Sequence, residues 1–210
     1  MGNLKVCVII AGGDVTGKIE IPENAIVICA DCGYRHALER GIKPDVLIGD
    51  FDSYTEPLPE QCTILKHPVE KDETDTMLAV DYGKEQGCQM FNIYGVFGGE
   101  RIDHSIANIQ LLHHMYGMQL NAVLYHGNTI MSVQSPEMGV GMYPYYEGSF
   151  SLFALTDTCE GVTIRGTKYT AENITLKNSF PLGVSNHIVD EFAEVEIKSG
   201  LLLVVQVRGV

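Results

Sequence analysis

The chain has 210 residues, 45% of them hydrophobic, and 14 Lys and Arg against 27 Asp and Glu, for a net charge of −13. That length holds one large domain or two small ones with a real core; the acidic balance argues against nucleic acid as a partner, and no apolar run approaches membrane-spanning length. The opening Met1-Gly2-Asn3-Leu4-Lys5 lacks a signal-peptide layout, so no membrane association and a cytoplasmic location are expected.

Val6-Cys7-Val8-Ile9-Ile10 reads as a buried strand. Gly12-Gly13-Asp14-Val15-Thr16-Gly17-Lys18 then nearly matches a P-loop. Ile19 stands where that motif needs Ser or Thr, and Ile19-Glu20-Ile21-Pro22 reads as extended rather than helical, so a surface loop that could lie near the nucleotide is expected here and not a Walker motif. Ala25 to Ala30 is a second strand, Gly33 to Arg40 a helix stopped by Gly41, and Val46-Leu47-Ile48 a third strand. Thr74 to Gln86 is a helix with Asp72 as its N-cap. Met90 to Val96 is the next strand. The following helix, starting near Asp103, shows Ile102, Ile106, Ile109 and Leu112 as one apolar face. Asn121 to Tyr125 completes the series. Continuous apolar strands alternating with helices predict a mostly parallel sheet covered on both faces.

After about residue 127 the helical period stops and glycine-punctuated β-rich runs take over. Phe150 to Leu155, Val162 to Arg165, Val184 to Val189, Ala193 to Ile197 and Leu202 to Val207 read as strands of an all-β sandwich. The predicted organisation is an α/β domain over residues 1–127 and a β-sandwich over 128–210. The apolar run Leu201 to Val205 would suit a dimer interface if partly exposed.

Cys29-Ala30-Asp31-Cys32 has C-x-x-C spacing, but no second pair exists. Neither zinc nor redox chemistry is expected of it, and no disulfides are expected.

Three acidic clusters carry the chemistry: Gly49-Asp50-Phe51-Asp52-Ser53, Lys71-Asp72-Glu73-Thr74-Asp75 and Gly98-Gly99-Glu100-Arg101-Ile102-Asp103-His104. Each lies at a predicted strand end or helix start, where open α/β sheets bind ligands. Asp50 and Asp52, two apart on extended backbone, point to one side and repel unless a cation lies between them. Mg²⁺ needs only one or two such ligands, with water and phosphate oxygens completing its octahedron. Asp75, in a first helical turn, is a further ligand candidate, and Lys71 before it can reach a phosphate oxygen. Gly95 to Gly99 forms a glycine-rich strand-to-helix turn able to offer backbone N–H groups to phosphate, with Arg101 adding a planar fork. Asp103 is a helix cap or a site residue, and His104 a local hydrogen-bonder, a ligand or a base. The clusters predict a Mg²⁺-dependent enzyme acting on a nucleoside triphosphate.

In this order, with Ala30-Asp31-Cys32-Gly33 before them, Asn108 one turn beyond His104, and Gly161 to Gly166 and Gly183-Val184-Ser185-Asn186 in the second region, these segments resemble the thiamine pyrophosphokinase family. The resemblance spans nearly the whole chain. It implies an α/β nucleotide domain and a β-sandwich, paired as a homodimer, moving the pyrophosphoryl group of ATP onto the hydroxyl of thiamine with release of AMP. By that similarity Asp50, Asp52 and Asp75 hold Mg²⁺, with Asp31 close by, and Lys71 and Arg101 contact phosphates. Gly98, Asp103, His104 and Asn108 fall on the nucleotide side. Ser185 and Asn186 help form a thiamine site shared across the dimer. The chain departs from the pattern at Cys32, where Gly or Ser is usual. It also has no Trp, so His187 or a Tyr or Phe must take the place of an indole against thiamine. A Mg²⁺-dependent phosphohydrolase and a non-catalytic nucleotide sensor are the competing readings.

Overall fold

Hydrophobic runs too short for helices and rich in β-branched residues form the first strands, β1 (Val6–Ile10) and β2 (Ile26–Ala30), which pair in parallel. The structure, a computed structural model, describes residues 4–51, 59, 61–67, 72–99 and 101–209. Asp52, Ser53, Lys71 and Glu100 therefore lie outside the described residues. Two compact units emerge, Met1–Gly127 and Asn128–Val210.

The first unit continues with α1 (Gly33–Glu39), β3 (Val46–Gly49), β4 (Thr63–Lys66), α2 (Asp75–Glu85), β5 (Met90–Tyr94), α3 (Ile102–Gly117) and β6 (Asn121–His126). Its strands run in the order β4-β3-β2-β1-β5-β6, and the pairings between them are parallel. From β1 the chain moves outward through β2, β3 and β4, then returns to the other side of β1 as β5. Strand order thus reverses between β1 and β5. Loops leaving two such strands diverge at their carboxyl ends and open a crevice there. Residues 11–25 form no helix and Ile19 is buried, in keeping with a loop rather than a P-loop.

Two helix readings need correction. The N-cap of α2 is Thr74, whose Oγ1 accepts a hydrogen bond from the Met77 N–H at 3.2 Å, and not Asp72, which is exposed. In α3 the buried face is Ser105, Asn108, Leu112 and Met115, joined by Leu111. Ile102 and Ile106, assigned to the core by their spacing, are 73% and 55% exposed. The reason is that Ser105 and Asn108 are polar yet face inward at the site end of the helix, so hydropathy marks the wrong stripe there.

The second unit is all β: β7 (Thr129–Gln134), β8 (Gly141–Pro144), β9 (Gly148–Ala154), β10 (Thr158–Arg165), β11 (Ala171–Lys177), β12 (Phe192–Glu196) and β13 (Leu202–Arg208). Antiparallel sheets β7-β13-β9 and β11-β10-β12-β8 share one core, in which Phe150, Leu152, Leu202 and Val204 meet Val162, Ile164, Leu176 and Val195. Residues 184–189 form isolated bridges, Phe150–Asn186 and Thr167–Ile188, instead of the predicted strand. Leu201 to Val204 are at most 5% exposed. The run suggested for a dimer interface is buried within its own sheet.

The two faces of α3 should respond differently to truncation. Leu112→Ala, at a fully buried position, should cost about 2–5 kcal/mol in urea unfolding, and Ile106→Ala less than about 0.5 kcal/mol. Equal losses would reject the assigned face.

Candidate active site

At the carboxyl ends of β1, β2 and β5 lies a cavity of about 320 Å³. The loop after β1 contributes Gly12 and Gly13, the loop after β2 Asp31 and Cys32, and the loop after β5 Gly95 to Val96, Gly98 and Gly99. The start of α2 supplies Thr74, Asp75 and Thr76, and the start of α3 supplies Arg101, His104, Ser105 and Asn108. The crevice opens at the point where strand order reverses.

The backbone is drawn tightly together there. Beyond the last paired residues of β1 and β5 the ladder continues: Ala11 N–H donates to Tyr94 O, Gly13 N–H to Gly95 O and Asp14 N–H to Phe97 O, each at 2.8 Å. Gly13 must be glycine, because a Cβ there would lie 2.7 Å from the carbonyl oxygens of both Gly95 and Phe97. Gly98, at φ +87°, lies over the Asp14 carboxylate, which a Cβ would meet at 2.2 Å.

Carboxylates from separate loops reach this region. Asp75 is the first residue of α2, where the helix dipole favours negative charge. Asp31 holds a left-handed backbone (φ +47°), and its N–H donates to Ile48 O at 2.7 Å, tying the end of β2 to β3. Gly49 approaches so closely that a Cβ on it would lie 3.1 Å from the Asp31 Cα. Asp50 follows directly, before Phe51, which is buried and also left-handed (φ +56°). Among the described residues no group of three His, Cys, Asp or Glu is close enough to hold a metal together. The donors that do converge, carboxylates with backbone and hydroxyl oxygens, are the hard oxygen type that suits Mg²⁺.

Arg101, which lines the cavity, and Asp103 form an exposed ion pair. Arg101 Nη2 donates to Asp103 Oδ2 at 2.7 Å, and Nε donates to Oδ1 at 3.0 Å. The N-cap position of α3 belongs to Arg101, with no side-chain cap, so Asp103 lies inside the first turn. Hydrogen bonding to the Arg101 guanidinium holds the Asp103 carboxyl down to about 2. The pairing is complete above the ordinary carboxyl range and is lost as pH falls through that value. Asn108 is buried and donates from Nδ2 to Val96 O at 2.8 Å, tethering α3 to the loop after β5. His104 is exposed on the cavity edge.

In the second unit Ser185 is exposed, with a left-handed backbone whose N–H donates to Ser151 Oγ at 3.0 Å. Asn186 is buried, and all of its amide capacity is used. Nδ2 donates to Thr167 Oγ1 and Tyr169 O, while Oδ1 accepts from the N–H groups of Tyr169 and His187, at 2.8 to 3.1 Å. Its side chain organises the loop over residues 167–169 beside an apolar cavity of about 420 Å³. The His187 ring nitrogen Nδ1 lies 2.7 Å from Gly148 O.

Four of the cysteines are buried thiols, and Cys32 and Cys62 are half-buried. All six are free, and burial pushes the Cys29 thiol up to about 12 and the Cys7 thiol upward as well. Cys32 alone among them lines the cavity. The sequence put the loop of Gly12, Gly13 and Asp14 on the nucleotide side but gave none of the three a role, although Gly12 and Gly13 line the cavity. Their signal was a Gly-Gly pair directly after a buried strand, which the failed P-loop match obscured.

An open parallel sheet with acidic side chains and close-packed glycines at its point of strand reversal defines a ligand-binding α/β protein. Residues 19–124 match the family model for the thiamin pyrophosphokinase catalytic domain, and residues 138–202 the model for its vitamin B1 binding domain. A thiamine pyrophosphokinase of Bacillus subtilis (strain 168) is 28% identical over 220 residues, spanning 97% of this chain and 99% of the relative. The structure of a thiamin pyrophosphokinase family protein from Enterococcus faecalis superposes with a TM-score of 0.83 at 27% identity, over 98% of this chain and 100% of that one. A Bacillus subtilis thiamine pyrophosphokinase structure, 24% identical, shares the fold with a TM-score of 0.85 over 98% and 100% of the two chains. This chain belongs to the thiamin pyrophosphokinase family.

Two side-chain assignments are open to direct measurement. Arg101→Ala should raise the Asp103 carboxyl toward its ordinary range in a carboxyl-detected NMR titration; an unmoved midpoint would refute the pairing. Asn186→Ala should cost about 1–3 kcal/mol of unfolding free energy and speed amide exchange at Tyr169 and His187, and neither change would occur if Asn186 served only a ligand.

Proposed function

We propose that this protein is a thiamine pyrophosphokinase, transferring the pyrophosphoryl group of ATP to the hydroxyl of thiamine to give thiamine diphosphate and AMP. The observation that carries the reading is the matching of both family domains, in order, on a chain whose catalytic half gathers Asp31, Asp75 and the glycine loops around one cavity. The phosphohydrolase and sensor readings have no comparable support.

ATP binds in the cavity of the first unit. The thiamine oxygen attacks the β-phosphorus, a new O–P bond forms, and the bond from the β-phosphorus to the oxygen it shares with the α-phosphorus breaks, its electron pair leaving with AMP. The protein's task is to hold the attacking and leaving oxygens in line. Asp50, Asp52 and Asp75 would hold Mg²⁺, which would draw charge from the polyphosphate, and Asp31 lines the cavity. Arg101, braced by Asp103, presents positive charge at the cavity edge, and Lys71, outside the described residues, would contact phosphate as the family resemblance implies. Gly98, His104 and Asn108 shape the nucleotide side, Asn108 through its tether to the loop after β5. One of the site carboxylates takes the hydroxyl proton.

Ser185 contributes to the thiamine site from the second unit. Asn186 contributes indirectly, because its amide is committed to the loop over residues 167–169. Thiamine is a cation and the protein carries a net charge of −13, which favours its approach. The protein acts as a homodimer in the cytoplasm. Exposed Phe180, Leu182 and Val184, on the segment leading to Ser185, support a pairing surface. Among the described residues no helix is long and apolar enough to cross a membrane.

Incubation with ATP, Mg²⁺ and thiamine should yield AMP in step with thiamine diphosphate; orthophosphate or pyrophosphate without the ester would favour hydrolysis instead. Asp75→Asn should retain the fold by circular dichroism and lower kcat by about 100-fold or more. Wild-type turnover in that variant would remove Asp75 from the site.

A further inference from the structure

The glycine-rich turn after β5 is a wall of the cavity, and the backbone bonds that hold its start, from Gly13 N–H to Gly95 O and from Asp14 N–H to Phe97 O, end at Phe97. Gly98 and Gly99 both have left-handed backbones, at φ +87° and +71°. Such a Gly-Gly turn is among the most mobile sequences a chain can offer. The turn is fastened by a side chain from another loop: the Asp14 carboxylate Oδ2 accepts the Gly99 N–H at 3.2 Å and sits directly beneath Gly98.

Asp14 is in turn held from behind. Its N–H donates to Phe97 O at 2.8 Å. His36 Nε2 meets Gly13 O and Arg40 Nη2 donates to Val15 O, both at 2.7 Å, so α1 anchors the residues on either side of Asp14. The loop that failed as a P-loop is thus a brace. It also takes up the Gly99 N–H, one of the donors that the turn would otherwise offer to phosphate.

We propose that Asp14 is a positioning residue for nucleotide binding: by accepting the Gly99 N–H it keeps the Gly98-Gly99 turn in the shape that receives the polyphosphate. This rests on the reading of the cavity as the ATP site. A turn that is already ordered costs nothing to order when ATP arrives. Without the brace, only a fraction of molecules carry the competent turn, and apparent affinity falls by that fraction. Once ATP is bound the turn is ordered in either case, so turnover at saturation is spared.

The test is steady-state kinetics on Asp14→Ala and Asp14→Asn beside the wild-type enzyme. Asp14→Ala should raise KM for ATP about 3- to 10-fold, the worth of one such hydrogen bond, with kcat and KM for thiamine within about twofold. Asp14→Asn keeps a carbonyl oxygen in the accepting position and should restore KM for ATP. Amide exchange at Gly99 should accelerate in Asp14→Ala and not in Asp14→Asn, a readout independent of turnover. An unchanged KM for ATP in Asp14→Ala, equal rises in both KM values, or the same behaviour from both variants would overturn the proposal. If Asp14→Ala does not fold, unaltered Gly99 exchange in Asp14→Asn together with wild-type KM supports the brace, and a raised KM in Asp14→Asn overturns it. Failure of the wild-type enzyme to form thiamine diphosphate would instead reject the function on which the proposal rests.

Discussion

The site depends on one constraint, the close backbone pairing of the loops that leave β1 and β5. Hydrogen bonds from Ala11, Gly13 and Asp14 to Tyr94, Gly95 and Phe97 carry the ladder past the end of the sheet. The pairing leaves no room for a side chain at Gly13. What it achieves is precision: two loops that would otherwise wander are locked to the buried parallel strands β1 and β5, and the crevice between them has a defined floor. Strand reversal at this same junction provides the opening.

Charge is distributed around that floor in a way that fits polyphosphate chemistry. Asp31 and Asp75 come from different loops onto one cavity, and Gly49, just before Asp50, packs closely against the Asp31 backbone. The cationic counterpart, Arg101, is already matched to Asp103 on the surface. A planar guanidinium steadied by a carboxylate loses less side-chain freedom when it meets phosphate than an unbraced one.

In the second unit a motif residue is committed to holding backbone. Asn186 sits beside Ser185 in sequence, yet the two differ in role. Ser185 is exposed, whereas Asn186 is buried and spends its amide on Thr167, Tyr169 and His187. A buried amide with every hydrogen bond made is rigid, and it transmits that rigidity to the loop it holds. Arg101 and Asn108 follow the same logic in the first unit, each fastening one piece of backbone or one charged partner.

The sequence by itself determined the alternation of strands and helices in the first half, the shift to β structure after residue 127, the failure of the P-loop match and the family, because apolar periodicity and ordered acidic motifs are local signals. It misjudged α3, where Ser105 and Asn108 face inward and Ile102 and Ile106 face out. It placed the α2 cap at Asp72 instead of Thr74, and it made a strand of residues 184–189. The α2 cap is a choice between two local candidates, settled by the reach of Thr74 Oγ1 to Met77; in the other two cases the competing partners are distant in sequence, or polar groups at a site turn inward against hydropathy. Only the tertiary structure decided that Asp14 braces the Gly98-Gly99 turn, that Asp31 lies beside Gly49 and that Asn186 is a tether, since each depends on segments brought together by the order of strands in a sheet.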